Sequence, residues 1–261
     1  MNRQLIRIDP ENFPSQFHPL LTGAPVYDSH CSPEARVWFI DRDNGYYLKS
    51  APAGSLKTEA EMTRFFHGKG LGPQVLAYEA GEKDWLLTTR VPGEDCTHRM
   101  YLEDPKRLCD TIAEQLRHLH SLDPAGCPIP DRTGSYLATA RTNYLQKKYD
   151  ATLFPDNWGY SSPEEAWAVA SSNAHLLKTD TLLHGDYCLP NIMLDNWRFS
   201  GFIDVGNGGV GDRHIDLFWG IWSLGFNLKT DQYRDRFLDA YGREDMEPEF
   251  LRIIAAFEVF G

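Results

Sequence analysis

Residues 182–204 read LLHGDYCLPNIMLDNWRFSGFID, and this stretch decides how the rest of the chain is interpreted. Asp186 and Asn191 stand on one loop between two short apolar strands, and Asp204 follows the hairpin that comes next. A positioned carboxylate can orient a hydroxyl and accept its proton, while carboxylate and amide oxygens are the ligands that Mg²⁺ prefers. The spacing therefore predicts a catalytic base at Asp186 and metal ligands at Asn191 and Asp204.

The chain before this stretch reads mostly as strands. Two β-prone runs, Arg36–Ile40 and residues 46–49, flank a loop that ends in Asn-Gly, a sequence typical of a tight hairpin turn. A helix is expected over 55–67, where apolar residues recur among charged ones before two glycines. Residues 75–78 and 85–89 predict two further strands.

Helical spacing replaces the strand pattern after the Pro-Gly pair at 92–93, which interrupts the chain as a hinge would. Helices are expected over 105–122, from 162 and from 247. This order predicts an α+β, bilobal, protein-kinase-like fold. Residues 1–91 would form a small β-rich lobe with one helix that binds nucleotide. Residues 92–261 would form a larger, mostly helical lobe that carries catalysis and substrate binding.

The composition narrows the class of partner. The chain has 261 residues, a formal net charge of −11 and a pI near 5.2, which disfavours nucleic acid because phosphate backbones are bound by clusters of Lys and Arg. A cationic substrate is compatible with this charge, although many cytosolic enzymes are acidic for solubility alone. No run approaches the roughly 18 apolar residues of a membrane span, and the 5 scattered cysteines include no C-x-x-C pair. We therefore expect a cytoplasmic protein without nucleic-acid or membrane partners.

The pattern H-G-D-x-x-x-x-N from His184 to Asn191, followed by Asp204, resembles the motifs of the aminoglycoside phosphotransferases. The likeness is strongest over residues 182–216, where the chain is similar to the 3′-type enzymes that modify kanamycin. The resemblance implies a kinase of antibiotic-resistance type that moves the γ-phosphoryl group of Mg²⁺-bound ATP or GTP to a hydroxyl of an aminoglycoside or similar small molecule. It does not distinguish ATP from GTP, and it leaves the oligomeric state open.

The resemblance also assigns residues to the nucleotide side of the site. Lys49 would contact the nucleotide phosphates, and Glu59 on the following helix would be its ion-pair partner. Glu61 is the alternative partner, since it lies two residues away on a different face of the same helix. The other implied nucleotide contacts are Ser32 in the phosphate loop, Tyr47 stacked on the base, and the hinge backbone of Thr89 and Val91.

The acceptor side is where the sequence departs from the family that it resembles. The implied acceptor contacts are Asp156, Glu164, Glu165, Phe226, Asn227 and Glu258. Phe226 and Asn227 stand where the 3′-type enzymes have an adjacent Glu-Asp pair for the amines of the drug. Asn207 stands where those enzymes usually have an Arg. Because buried ammonium groups need paired carboxylates, we expect weak or narrow activity toward kanamycin-like drugs. A less cationic or more apolar acceptor would be favoured.

Several alternatives stay open on the residues alone. A kinase for choline, a sugar amine or a homoserine-like metabolite would share the same core. A non-catalytic nucleotide-binding protein and a metal-dependent hydrolase built on His184 belong to other classes. We interpret His184 and Cys188 as buried structural residues and Asp216 as a brace for the catalytic loop. The helical spacing of Trp219 and Trp222 favours a place in the core over a ligand platform.

Overall fold

The computed structural model describes residues 4–29, 35–149 and 159–261. Ser32 and Asp156, which the resemblance assigned to nucleotide and acceptor binding, lie outside the described residues. The chain divides into two compact units, of which one comprises Met1–His98 with Pro190–Gly206 and the other Arg99–Leu189 with Asn207–Gly261. The sequence-based division at residue 91 follows chain order, whereas the first of these units also includes residues 190–206.

The first unit is built on an antiparallel sheet. Its strands within the described residues are β1 (Gln4–Ile6), β2 (Val26–Asp28), β3 (Arg36–Ile40), β4 (Tyr46–Pro52), β5 (Val75–Glu79) and β6 (Lys83–Thr89), in the order β1-β2-β3-β4-β6-β5. The predicted hairpin of β3 and β4 is confirmed, with Ile40 opposite Tyr46. Its loop contains Asp43 and Gly45 at φ 53° and 89°, the left-handed conformation that Asp and Gly tolerate best.

Two helices cover opposite faces of this sheet. They are α1 (His18–Leu21) and α2 (Lys57–Gly68), the second of which confirms the helix expected over 55–67. Successive strand residues point to opposite faces, so the neighbours Leu86 and Leu87 are buried in different clusters. Leu87 packs in the cluster of Phe17 and Leu21, while Leu86 packs in the cluster of Ala60 on α2. The sheet is thereby held rigidly enough to position Lys49 and α2.

A smaller sheet completes the first unit. It consists of β7 (Glu94–Asp95), β9 (Ile192–Asp195) and β10 (Arg198–Phe202), in the order β10-β9-β7. Gly93 precedes β7 with φ 88°, and a Cβ at this position would lie 2.1 Å from the carbonyl oxygen of Leu194. Only glycine lets the two backbones approach this closely. The sheet anchors Asn191 at one end of β9 and Asp204 shortly after β10.

The second unit is mainly helical. Its helices in the described part are α3 (Arg99–Leu102), α4 (Pro105–Ser121), α5 (Arg132–Gln146), α6 (Pro163–Asn173), α7 (His214–Leu228), α8 (Arg234–Tyr241) and α9 (Pro248–Glu258). The short antiparallel pair β8 (Thr181–Leu183) and β11 (Gly209–Gly211) flanks the catalytic loop. Asp104, Asp131 and Ser162 cap the first turns of α4, α5 and α6 by accepting backbone N–H groups. Over the described residues, no helix combines the length and apolar character that crossing a membrane would need.

Candidate active site

Lys49 on β4 is the centre of an ion cluster in the first unit. Its Nζ donates to both carboxylate oxygens of Glu59, at 2.9 and 2.8 Å, and to Oδ1 of Asp204 at 3.1 Å. Burial by itself would lower the pKa of Lys49, but the negative charges of Asp204 and Glu59 outweigh it and raise the pKa. The ammonium group is therefore charged at every physiological pH and fixed in direction.

The implied ion-pair partner of Lys49 is present, and it is Glu59 rather than Glu61. Glu59 stands in the first turn of α2, and its side chain is only 14% exposed. Gly206 lies against it, since a Cβ there would be 3.2 Å from Cβ of Glu59. Within the described residues, the carboxylates in ion-pair distance of Lys49 are those of Glu59 and Asp204.

A cavity of about 130 Å³ in the first unit brings most of the implied nucleotide contacts together. Its walls include Val37, Leu86, Met193 and Ile203, which give it an apolar interior suited to a planar base. The sequence-predicted residues that line it are Tyr47, Lys49, Glu59, Thr89, Val91, Asn191 and Asp204. These residues come from separate elements of the chain, and the fold of one unit collects them.

Asn191 and Asp204, the two predicted metal ligands, both line this cavity with oxygen-bearing side chains. Asp204 has φ 57°, a left-handed conformation that turns the chain directly after β10, and the backbone oxygen of Asn191 accepts the N–H of Ile203 at 3.0 Å. The described residues hold no group of three or more His, Cys, Asp or Glu side chains arranged for a metal. Mg²⁺ commonly takes one or two protein oxygens and completes its shell with phosphates and water, so this donor set suits a nucleotide-bound ion.

The catalytic loop of the second unit is fixed by Asp216 on α7. Oδ2 of Asp216 accepts the backbone N–H of His184 at 2.7 Å, and Oδ1 accepts that of Gly185 at 2.7 Å. The brace predicted for Asp216 is thereby confirmed. Gly185 has φ 84°, and a Cβ on it would lie 1.8 Å from the backbone oxygen of Asn207, so only glycine fits before Asp186.

His184 serves this loop as a buried structural residue. Its ring is fully buried, and Nδ1 accepts the backbone N–H of Asp186 at 3.3 Å. Cys188 is partly buried, and burial together with the charge of Asp186 raises the pKa of its thiol. A thiol with a raised pKa is a poor nucleophile at neutral pH. Both residues therefore match the structural interpretation rather than a reactive one.

His120 and Tyr241 form a second layer that the sequence interpretation missed. Nε2 of His120 on α4 lies 3.2 Å from Oδ2 of Asp216, and its Nδ1 lies 2.8 Å from the Tyr241 hydroxyl. Burial lowers the pKa of His120, so the neutral imidazole donates to Asp216 and accepts from Tyr241. The sequence feature that could have revealed this layer is a histidine on the apolar face of α4, beside Leu116 and Leu119.

Comparison with known proteins identifies the family of the chain. The model of the family described as "Phosphotransferase enzyme family" matches residues 33–252. The chain belongs to this family. It is 48% identical over 261 residues to a probable aminoglycoside 3′-phosphotransferase of Lactococcus lactis subsp. lactis (strain IL1403), with 100% of this chain and 99% of that protein covered. It is 30% identical over 218 residues to an aminoglycoside 3′-phosphotransferase of Niallia circulans, covering 82% of this chain and 83% of that protein.

Solved structures support the fold of this phosphotransferase. A type VIII aminoglycoside 3′-phosphotransferase superposes with a TM-score of 0.75 at 22% identity, covering 99% of this chain and 94% of that one. The APH(3″)-Id enzyme of Streptomyces rimosus, in complex with ADP and streptomycin, gives 0.73 at 23% identity, covering 86% and 90%. The predicted family and the kinase-like α+β fold class are confirmed.

Glu258 of the phosphotransferase, an implied acceptor contact, is the last residue of α9. Its Oε1 accepts from the Tyr136 hydroxyl at 2.9 Å and from Nε1 of Trp219 at 3.1 Å. Burial raises the pKa of Glu258 to about 7; these two hydrogen bonds oppose that rise, and the charge of Asp186 adds to it. These two hydrogen bonds fix the Glu258 carboxylate to α5 and α7.

The other implied acceptor contacts are dispersed. Glu165 accepts the backbone N–H of Ser161 at 2.9 Å as part of the start of α6, and Glu164 is exposed in the same turn. In the described part of the chain, no ion pair or hydrogen bond joins these two carboxylates to Glu258. Asn227 donates to the backbone oxygen of Ser223 at 2.8 Å, which uses its amide within α7.

Phe226 and Trp222 form an accessible aromatic pair on α7. Phe226 is 56% exposed, and its ring stacks on Trp222 with centroids 5.0 Å apart and planes 10° apart. Both rings line a cavity, so the interpretation of Trp222 as a core residue is wrong. The helical spacing put Trp222 on the same side as Trp219, but the core beneath that side ends before it. Trp219 itself packs against the core cluster, and its Nε1 donates a hydrogen bond to Glu258.

Proposed function

We propose that this protein transfers the γ-phosphoryl group of Mg²⁺-bound ATP or GTP to a hydroxyl group of an aminoglycoside or a similarly polyhydroxylated small molecule. The observation that carries the proposal is the ammonium group of Lys49, held between Glu59 and Asp204 inside one apolar-walled cavity. An oriented cation beside a carboxylate that can hold Mg²⁺ suits the β- and γ-phosphates of a nucleotide. The 48% identity to a probable aminoglycoside 3′-phosphotransferase supports the acceptor class.

The roles of the nucleotide-side residues follow from their positions in the cavity. Tyr47 and the backbone of Thr89 and Val91 would receive the base, while Lys49 would contact the phosphates. Asn191 and Asp204 would hold Mg²⁺, which neutralises the charge that develops on the transferred group. Ser32, outside the described residues, would contribute to the phosphate loop. ADP or GDP would be the second product.

Asp186 would orient the attacking hydroxyl of the acceptor. The acceptor oxygen forms a bond to the γ-phosphorus while the bond from that phosphorus to the β,γ-bridging oxygen breaks. The hydroxyl proton passes to the Asp186 carboxylate, and the bond electrons leave with the nucleoside diphosphate. The Asp216 carboxylate holds the backbone N–H groups of His184 and Gly185, so the loop presents Asp186 in one conformation.

We also propose the following division of labour. Residues 1–91 would bind nucleotide, residues 92–261 would carry catalysis and the acceptor, and the protein would work in the cytoplasm without nucleic acid. A second acceptor class is favoured by one observation, the exposed Phe226 in place of a carboxylate. A kinase of this family for a less cationic metabolite, such as a sugar amine, would accommodate that ring better.

The test is a direct search for product. The full-length protein is incubated with Mg²⁺, ATP or GTP and a panel of aminoglycosides, amino sugars and amino alcohols, and the acceptors are examined by mass spectrometry. A gain of one phosphoryl group on an aminoglycoside, abolished by Asp186→Asn, is the expected outcome. Phosphorylation of an amino alcohol alone would move the proposal to the second class. Tight nucleotide binding with no phosphorylated compound would refute transfer to this panel.

A further inference from the structure

The catalytic loop meets one face of α7 at three successive points. Asp216 accepts two backbone N–H groups at the start of the loop. The ring of Tyr187 lies on Gly220, where a Cβ would be 3.3 Å from Cδ1 of the ring. Leu189, at the end of the loop, bonds to Ser223. Residues spaced by four and then three positions lie on one side of a helix, so the loop follows α7 in register.

The contact at the end of the loop is a buried hydrogen bond. Oγ of Ser223 accepts the backbone N–H of Leu189 at 2.9 Å. Ser223 is 1% exposed and Leu189 is fully buried. Leu189 begins the short turn Leu189–Asn191, and the first N–H of a helical turn has no partner inside the turn. The serine hydroxyl therefore satisfies a donor that water does not reach.

The hydroxyl of Ser223 differs in its use from that of an ordinary helix serine. Ser171 on α6 donates to the backbone oxygen of Trp167, one turn earlier in its own helix, at 2.7 Å. Ser223 instead accepts from a residue outside its helix. The amide of Asn227 lies 3.4 Å from the same Oγ and 2.8 Å from the backbone oxygen of Ser223, so the bond from Leu189 is the shorter contact of the hydroxyl.

We propose that Ser223 is a positioning residue for phosphoryl transfer, because its hydroxyl fixes the catalytic loop after Asp186 as Asp216 fixes it before. The inference rests on the proposed function and deepens it, since Ser223 acts through the loop rather than on a substrate. Asp186 stands between the two fixed points, so its carboxylate meets the acceptor hydroxyl in one direction. A displacement of about 1 Å at a reacting group can cost about 100-fold in rate.

Steady-state kinetics of Ser223→Ala tests the positioning role. The change leaves the buried N–H of Leu189 without its acceptor, so the loop shifts and kcat should fall by about 10–100-fold. The nucleotide and acceptor KM values should stay within about threefold of the parent, since the binding groups remain. Ser171→Ala, which removes an exposed helix serine from α6, should keep the parental kcat.

The conservative variant Ser223→Thr separates the hydroxyl from the space that the side chain fills. It keeps the oxygen that accepts the N–H of Leu189 and should recover most of the turnover lost in Ser223→Ala. An unchanged kcat in Ser223→Ala would overturn the inference. It would also be overturned if both KM values rose as much as kcat fell, or if a cooperatively folded Ser223→Thr were no faster than Ser223→Ala.

Hydrogen exchange examines the anchor without any turnover. In Ser223→Ala the amide of Leu189, resolved with overlapping peptides by mass spectrometry, should exchange at least tenfold faster, while α4 and the Ser171→Ala control keep parental rates. Unchanged protection of Leu189, or equally faster exchange throughout the unit, would overturn the positioning role. If the parent phosphorylates no compound, the proposed function fails, whereas exchange still reports whether Ser223 holds the loop, so the two failures are distinguishable.

Discussion

The cavity of the first unit and the cavity of the second unit treat charge in opposite ways. In the first, Lys49 is enclosed by two carboxylates, with oxygens of Glu59 and Asp204 at 2.8 and 3.1 Å. In the second, Lys229 lies over the ring of Phe226 and meets no paired carboxylate among the described residues. The first cavity contains a buried cation paired with two carboxylates, and the second has Lys229, Arg234 and Arg252 beside the rings of Trp222 and Phe226.

This difference shows how one fold can combine a nucleotide cavity of fixed geometry with a second cavity whose lining can vary. A charge that is largely buried must be paired, and the pairing fixes its position, which suits the unvarying geometry of nucleotide phosphates. Cations at a solvent-accessible rim can be exchanged at small cost, because each contributes little to stability. The proposed function therefore predicts that acceptor choice changes at accessible positions such as Phe226 and Asn227, without loss of the fold. The predictions below test this contrast.

Replacement of Asp186 by Asn should have the largest effect. Because the amide cannot accept the proton of the acceptor hydroxyl, we expect kcat to fall by about 10²–10⁴-fold while nucleotide affinity is nearly unchanged. Steady-state kinetics with calorimetric nucleotide binding measures both. Asp235→Asn, at an exposed surface ion pair, is the control. A variant with most of its turnover would contradict the assigned base.

Lys49→Ala should come next in size. The change removes the cation and leaves Glu59 and Asp204 facing the phosphates, so the nucleotide KM should rise about 10–100-fold, as expected for lost charge-assisted hydrogen bonds. The acceptor KM should change little. Lys83→Ala on the neighbouring strand β6 is exposed and serves as the control. Equal rises in both constants would indicate a structural role for Lys49 instead.

Phe226→Glu combined with Asn227→Asp should convert the second cavity toward cationic acceptors. Two solvent-accessible carboxylates near the ammonium groups of kanamycin should raise kcat/KM for that drug by about three- to thirtyfold. Leu145→Glu/Gln146→Glu adds the same charge at exposed positions on α5 and controls for net charge. The idea fails if the double variant gains nothing, or if the unmodified enzyme already turns over a broad aminoglycoside panel efficiently.

Glu258→Gln should give the smallest effect, visible as a change in pH dependence. The folded pKa of Glu258, about 7, lies above the 4.5 that is usual for a glutamate, so the folded state holds the proton more tightly. Its contribution to stability is complete below the unfolded pKa and is lost as the pH rises through about 7, with a slope of at most about 1.4 kcal/mol per pH unit. Urea unfolding from pH 4.5 to 8 should show this fall in the parent and a flatter profile in the variant. Glu249→Gln, at an exposed position of the same helix, should keep the parental slope.

The spacing of apolar residues predicted those helices in which the spacing is regular. The helices over Lys57–Gly68, Pro105–Ser121 and Pro248–Glu258 were predicted because apolar residues recur along one face between clear start and stop residues. Helix Arg132–Gln146 was not predicted. Its buried side chains, such as Thr133 and Ala140, are small or polar and give a weak periodic signal. Strand Gly209–Gly211 was missed because two of its three residues are glycine, which disfavours strands.

By itself, the sequence determined the catalytic loop and the family, because the defining residues from His184 to Asn191 are neighbours in the chain and their chemistry is carried by residue type and spacing. The choice of Glu59 over Glu61 was implied by resemblance but established only by the packing of α2. The approach of Asp204 to Lys49 across 155 positions was decided by tertiary structure. The support of Asp216 by His120 across 96 positions was decided by tertiary structure alone.

The excess of cations in the second cavity was likewise invisible in the sequence, where Lys229 and Arg252 are ordinary surface residues of an acidic chain. They line one cavity only because α7 and α9 pack side by side. Periodic patterns report interactions between residues close in sequence, whereas the meeting of distant side chains depends on the packing of whole elements, which no local pattern encodes.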